Sequence, residues 1–196
     1  MTLRWWYLRR GIPWLALLGC CAAALVLTGV LARWPEAAVG LLPALLACCA
    51  VAAAFLFDER ATAVVAVTPR GATWRRTARL AVAAVPLAVW ALVVAARPGD
   101  LPLERPGWWL VGAATIGLVT GIAALASRRD VAAPGSVLAG VIPVAVIGPV
   151  VVTAFLGWDT IYPIEGFGEG IRQFWLVVGV GGAIACVLAL RPGVRS

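Results

Sequence analysis

The chain has 196 residues, of which 63% are apolar and 13% charged, with a mean hydropathy of +0.98 and a formal net charge of +7. A soluble domain of this length carries far more charge to cover its surface, so the composition asks for a bilayer as solvent. The positive balance does not mark a nucleic-acid partner, because the basic residues lie in short blocks between apolar runs and form no continuous patch that tracks phosphates.

All sixteen basic residues are Arg, which with the Ala, Val, Gly and Pro richness is the mark of a GC-rich bacterial genome. His is absent, removing the commonest metal ligand and general base together. The five cysteines (Cys20, Cys21, Cys48, Cys49, Cys186) sit inside apolar runs without metal-ligand spacing, where Cys behaves as a small hydrophobe. No catalytic residue and no metal ligand is assigned.

In chain order, the first segment is 1–11. Leu3, Trp6 and Tyr7 stand at helical spacing opposite Arg4 and Arg9. That fits a short interfacial helix, and equally a basic flank with aromatic anchors. The first apolar window is 12–31. Its start, Arg9-Arg10 then Leu17-Leu18-Gly19-Cys20, has the outline of a lipoprotein signal. The apolar run continues through Val30, longer than a cleaved signal, so the span reads as retained. Window two is 37–57.

Residues 58–77 follow, and within them 61–67 is an apolar stretch of two helical turns, ended by Pro69 and Gly71. It either packs on the membrane surface or docks into another protein's groove. Windows three to six are 78–96, 108–126, 135–156 and 174–190. Each is long enough to cross ~30 Å of hydrocarbon. The windows read as free of charge apart from Arg79 at the very edge of the third, which is counted with the flanking arginines, and Gln173 stands just outside the sixth. Pro86, Pro143 and Pro149 are expected to kink the third and fifth. Gly117 and Gly121, with Gly179 and Gly182, mark packing faces, within the chain in preference to a dimer seam. The segment 157–172 mixes Trp158, Tyr162 and Phe167 with glycines and reads as a membrane-dipping turn.

Arginine placement orients the chain. Twelve lie on the side holding both termini and four (Arg33, Arg97, Arg105, Arg172) on the other, with six of the nine acids. The expected protein is therefore an all-α integral membrane protein, a single domain over 1–196. It crosses the bacterial plasma membrane six times with both termini cytoplasmic.

The segment after window two resembles the membrane subunits of type-2 ATP-binding-cassette (ABC) exporters, and most of all their small, Arg-only actinobacterial permeases. Glu59-Arg60-Ala61-Thr62, Val64-Val65-Ala66-Val67 and Thr68-Pro69 stand in the order of that family's coupling helix. Two features depart from it: Ala61-Thr62 replaces the usual acid and glycine, and 157–172 is short for two re-entrant helices. The resemblance implies an interfacial helix before span 1, a coupling helix between spans 2 and 3, and re-entrant helices between spans 5 and 6. Glu59, Arg60, Thr62, Val65, Thr68 and Pro69 would form the segment on which an ABC ATPase subunit docks. It further implies a second permease copy or paralogue as partner. No cofactor would reside in this chain, and ATP and Mg would sit on the ATPase.

Energetics point the same way. Ion-coupled carriers hold ionisable residues within the membrane, and spans read as charge-free offer none. With no Lys the chain has no phosphate-binding loop of its own. Two other readings stand beside the permease: a non-catalytic structural or assembly subunit of a membrane complex, and an inverted-repeat facilitator. The last draws on Gly40-x-x-Pro43 with Ala54-Phe55-Leu56, which recur as Gly140-x-x-Pro143 with Ala154-Phe155-Leu156.

Overall fold

A computed structural model of the chain describes residues 3–58, 72–96, 105–129, 133–164 and 166–191, and among these every regular element is helical. The helices are α1 (Leu3–Gly11), α2 (Trp14–Arg33), α3 (Ala38–Ala54), α4 (Ala72–Val82), α5 (Ala84–Ala95), α6 (Arg105–Ala126), α7 (Pro134–Leu156) and α8 (Glu169–Leu190). Short 3-10 turns precede α3 (Pro35–Ala37) and follow α3 and α6 (Phe55–Phe57, Ser127–Arg129). Six stretches are long and apolar enough to cross a membrane: Trp14–Arg33, Pro35–Phe57, Trp74–Ala95, Arg105–Arg129, Pro134–Leu156 and Glu169–Leu190.

The third span is α4 and α5 joined at Ala83. Pro86 has no N–H for the Val82 carbonyl and its ring crowds that group, so the ladder breaks there. Pro43, Pro143 and Pro149 act differently: each sits inside one continuous helix, α3 or α7. Gly157 ends α7 in the left-handed region at φ 64°, and the Thr153 carbonyl accepts from the N–H groups of both Gly157 and Trp158.

Two expectations are corrected. Arg79 does not flank the third span but lies within it, only 4% exposed, because the helix begins at Ala72. The sixth helix begins at Glu169 and takes in Arg172 and Gln173, since helical hydrogen bonding continues past the apolar window.

The core lies along α3 and α6, whose spans are the most buried. The most extensive helix contact is α6 on α8, where small residues let the backbones meet. A Cβ on Gly121 would stand 2.7 Å from the Ala185 Cβ and 2.9 Å from the Gly182 carbonyl oxygen. One on Gly182 would stand 2.6 Å from the Leu118 nitrogen. One on Gly179 would make only an ordinary contact with the Ala114 Cβ, at 3.6 Å, and one on Gly117 would meet nothing within 4 Å. The crossing thus turns on two of the four glycines.

Candidate functional site

Polar side chains gather at the two ends of the bundle. One end holds α1, Asp58 and most of the described arginines and is here called the basic end. The other, the aromatic end, holds Trp108, Tyr162 and Trp175.

At the basic end, Asp58 follows the second span directly and is buried. Its Oδ1 accepts from the Gly135 N–H at 2.5 Å, and the Ser136 N–H also contributes. The helix α7 needs this, because its own N-cap, Ala133, offers no side-chain acceptor and first-turn N–H groups are otherwise orphaned. The fit is close: a Cβ on Gly135 would stand 2.8 Å from Oδ1 and 2.7 Å from the Ala54 carbonyl oxygen. Burial raises the Asp58 pKa above the ordinary carboxylate value, opposed by those two N–H groups and the Arg79 charge.

Arg79 donates from Nε to the Tyr7 hydroxyl at 2.8 Å and from Nη2 to the Gly11 carbonyl at 3.4 Å. Its guanidinium also lies 5.5 Å from the Tyr7 ring centroid, with Trp74 tilted against that ring at 5.6 Å. A buried cation is tolerated only with such partners. Together they pin α1 to the third span, and the Trp14 indole donates to the Leu8 carbonyl at 3.0 Å to fix the α1–α2 corner. Two further arginines close the end of α8: Arg76 donates to the Ala189 carbonyl at 3.3 Å and Arg128 to the Leu188 carbonyl. Cations there complement the carbonyl end of the helix dipole.

The six residues expected to form the docking segment, Glu59, Arg60, Thr62, Val65, Thr68 and Pro69, lie outside the described residues. The structure instead describes the flanks of that segment, Asp58 on one side and α4 on the other. Asp58, Tyr7 and Arg79 were not singled out from sequence as a site. The usable signal was an acid placed immediately after an apolar span.

At the aromatic end the chain after α7 forms bends, with no helix among its described residues between Gly157 and Gly168, so the re-entrant helices implied by the resemblance are not formed there. The segment is held by indole and phenol donors. Trp108 donates to the Pro163 carbonyl at 3.1 Å and Trp175 to the Ile161 carbonyl at 2.8 Å. The Tyr162 hydroxyl donates to the Val146 carbonyl at 2.6 Å, one residue beyond the carbonyl that Pro149 leaves without its helical donor. The rings of Trp108 and Tyr162 stack at 5.8 Å with only 5° between planes. Burial pushes the Tyr162 phenol up to about 12. Trp90 donates to the Trp108 carbonyl at 3.0 Å and lies directly over Gly112, which has no Cβ to obstruct it.

Beneath these bends lies an open cavity of about 790 Å³ between the Val39 end of α3, the Val150–Ala154 turn of α7 and the start of α8. The pair α3 and α7 is antiparallel, since Gly135 meets Asp58 at one end while Val39 and Val150 share this cavity at the other. All five cysteines are free thiols, and among the described residues no group of His, Cys, Asp or Glu is arranged to hold a metal ion.

The geometry offers anchoring at one end and a cavity at the other, with no catalytic constellation among the described residues. Comparison with family models, with curated proteins and with solved structures finds no match to this chain.

Proposed function

We propose that this chain is the membrane-spanning permease subunit of an ABC-type exporter, with both termini cytoplasmic. It would pair with a second copy or paralogue and be driven by separate ATPase subunits that carry ATP and Mg. The observation that carries this reading is how the flanks of the segment between the second and third spans are held. Asp58 ties one flank to the first turn of α7, and Arg79 ties the other to α1. A force on that segment would therefore reach helices instead of being lost in slack chain. The receiving helix, α7, has only 11% of its window buried and packs chiefly on α3, so its outer face is free of contacts within the described chain. Six spanning helices and a short helix before the first are also what such a subunit needs.

The third span carries one buried charge, Arg79, and it sits near the basic end of that span with its partners around it. Mid-span coupling sites are where an ion-driven carrier would bind its ion.

The test is reconstitution with the ATPase that co-purifies. Glu59→Ala with Arg60→Ala is expected to abolish transport-linked ATPase stimulation while leaving helix content and thermal stability unchanged. Full transport by that variant would remove the proposed role of the segment, and failure to co-purify any ATPase would remove the reading itself. A second reading, an inverted-repeat facilitator, gains from the antiparallel contact of the second span with α7, which carry the matching Gly-x-x-Pro and Ala-Phe-Leu segments. Substrate flux through the chain reconstituted alone, without ATP, would favour it.

A further inference from the structure

We propose that the cavity at the aromatic end is a binding site for an ammonium-headed amphiphile, a primary or quaternary ammonium on an apolar chain. The proposal stands apart from any coupling to an ATPase. At about 790 Å³ the cavity is of the size that holds small molecules. Among its described lining residues Asp159 alone is charged, and it makes no ion pair with another described residue. The nearby Arg172 is engaged with Glu169 at 3.6 Å. Among the described residues the cavity thus presents a negative charge without an ion-pair partner, which favours a cationic ligand and disfavours an anionic one.

Trp158 and Phe174 also line the cavity, and aromatic side chains together with a carboxylate are what ammonium heads bind. On the helix side Val39, Val150 and Ala154 supply an apolar wall for the chain of such a ligand. Three glycines, Gly166, Gly168 and Gly170, line the cavity as well. None has positive φ, and a Cβ on any of them would meet nothing within 4 Å. Neither backbone conformation nor packing within the protein asks for glycine at these positions. Their effect is to leave bare backbone facing open space, as suits a ligand that approaches closely.

The experiment uses the full chain in dodecyl maltoside, an uncharged amphiphile. Two photoreactive probes of equal chain length are compared, one headed by trimethylammonium and one by sulfonate, and adducts are mapped by mass spectrometry. The ammonium probe is expected to label residues 150–174 about tenfold more than the sulfonate probe, the ratio that 1.4 kcal/mol of charge preference gives. Asp159→Asn should bring the two probes to parity. Gly168→Val should suppress both while the exposed apolar residues Leu15 and Val144 are still labelled. Both substituted residues are exposed, and an independent check needing no variant is loss of cavity labelling with excess dodecylamine. Competition by phosphatidylethanolamine as well would identify a lipid headgroup as one source, and competition by dodecylamine alone a free amine. Equal labelling by both heads in the unsubstituted protein, or an Asp159→Asn variant that keeps the preference, would overturn the proposal.

Discussion

The crossing of α6 and α8 makes a prediction with its own internal control. Gly117 and Gly121 belong to one GxxxG pair on the same helix, so substitution by Ala carries the same gain in helix propensity at both, up to about 1 kcal/mol. Their surroundings differ. At Gly121 the added Cβ would stand 2.7 Å from the Ala185 Cβ and 2.9 Å from the Gly182 carbonyl oxygen, and at Gly117 it would meet nothing within 4 Å. Backbone of the facing helix cannot turn aside as a flexible side chain can, so overpacking falls toward the upper part of its usual ~1–3 kcal/mol range. Gly121→Ala is therefore expected to destabilise by about 1–2 kcal/mol net, and Gly117→Ala to be neutral or stabilising by less than about 1 kcal/mol. The assay is reversible unfolding in mixed micelles, followed by helix content, with Gly182→Ala as a second clashing site 2.6 Å from the Leu118 nitrogen. Equal effects at positions 117 and 121, or a stabilising Gly121→Ala, would refute the reasoning.

Asp58→Ala should destabilise by about 1–2 kcal/mol through the lost cap on α7, whereas Asp58→Asn, which keeps an acceptor, should be close to neutral at pH 7. Because burial raises its pKa in the folded state, the part of Asp58's contribution that depends on its protonation is fully present below the ordinary carboxylate range and is lost as pH rises through the folded pKa, while the cap on α7 remains. Asp58→Asn should remove that part of the pH dependence in equilibrium unfolding. The chain has two tyrosines, so in Tyr7→Phe the remaining phenol should ionise near 12 by ultraviolet titration, with a loss of stability as pH rises through that value. Tyr162→Phe should cost about 1 kcal/mol by thermal unfolding, for the buried bond to Val146. Gly112→Ala should cost about 1–3 kcal/mol by placing a methyl against the Trp90 indole, and Trp90→Leu in the same chain should recover part of that loss.

The spans were legible because apolar length is measured against a fixed thickness of hydrocarbon, a comparison that needs no tertiary information. The same measure misplaced the start of α8. Hydropathy ends where lipid does, but helical bonding continues through Arg172 and Gln173 to Glu169. Arg79 was visible as a charge but was read as a flank, since nothing local shows that Tyr7 and Gly11, about seventy residues earlier, come to meet it. Asp58 was hidden for the same reason. Its role is set by α7 beginning at Pro134 without a side-chain cap of its own, a need apparent only once α3 and α7 lie side by side. At the aromatic end, glycines and aromatic residues marked irregular backbone held by protein. Which carbonyl each indole would bind depended on a fold that the sequence pattern does not contain.

Burial divides the bundle in a way that bears on motion. The spans of α3 and α6 have more than half of their windows buried, while those of α2, α7 and α8 have 22%, 11% and 22%. Large apolar side chains on α7, such as Val144 and Phe155, face outward. In a bilayer this exposure carries little information, because lipid tails are as apolar as the side chains and give two helices no hydrophobic reason to associate. What distinguishes one position of α7 from another is then its polar and backbone contacts. Gly135 meets Asp58 at the basic end, and Val146 accepts the Tyr162 hydroxyl toward the aromatic end. Displacing α7 while both contacts hold requires the aromatic-end bends to follow it, and those bends roof the cavity. A force delivered at Asp58 would in this way alter the shape of the cavity at the opposite end of the bundle. Tyr162→Phe should loosen that link without touching either end's charged groups.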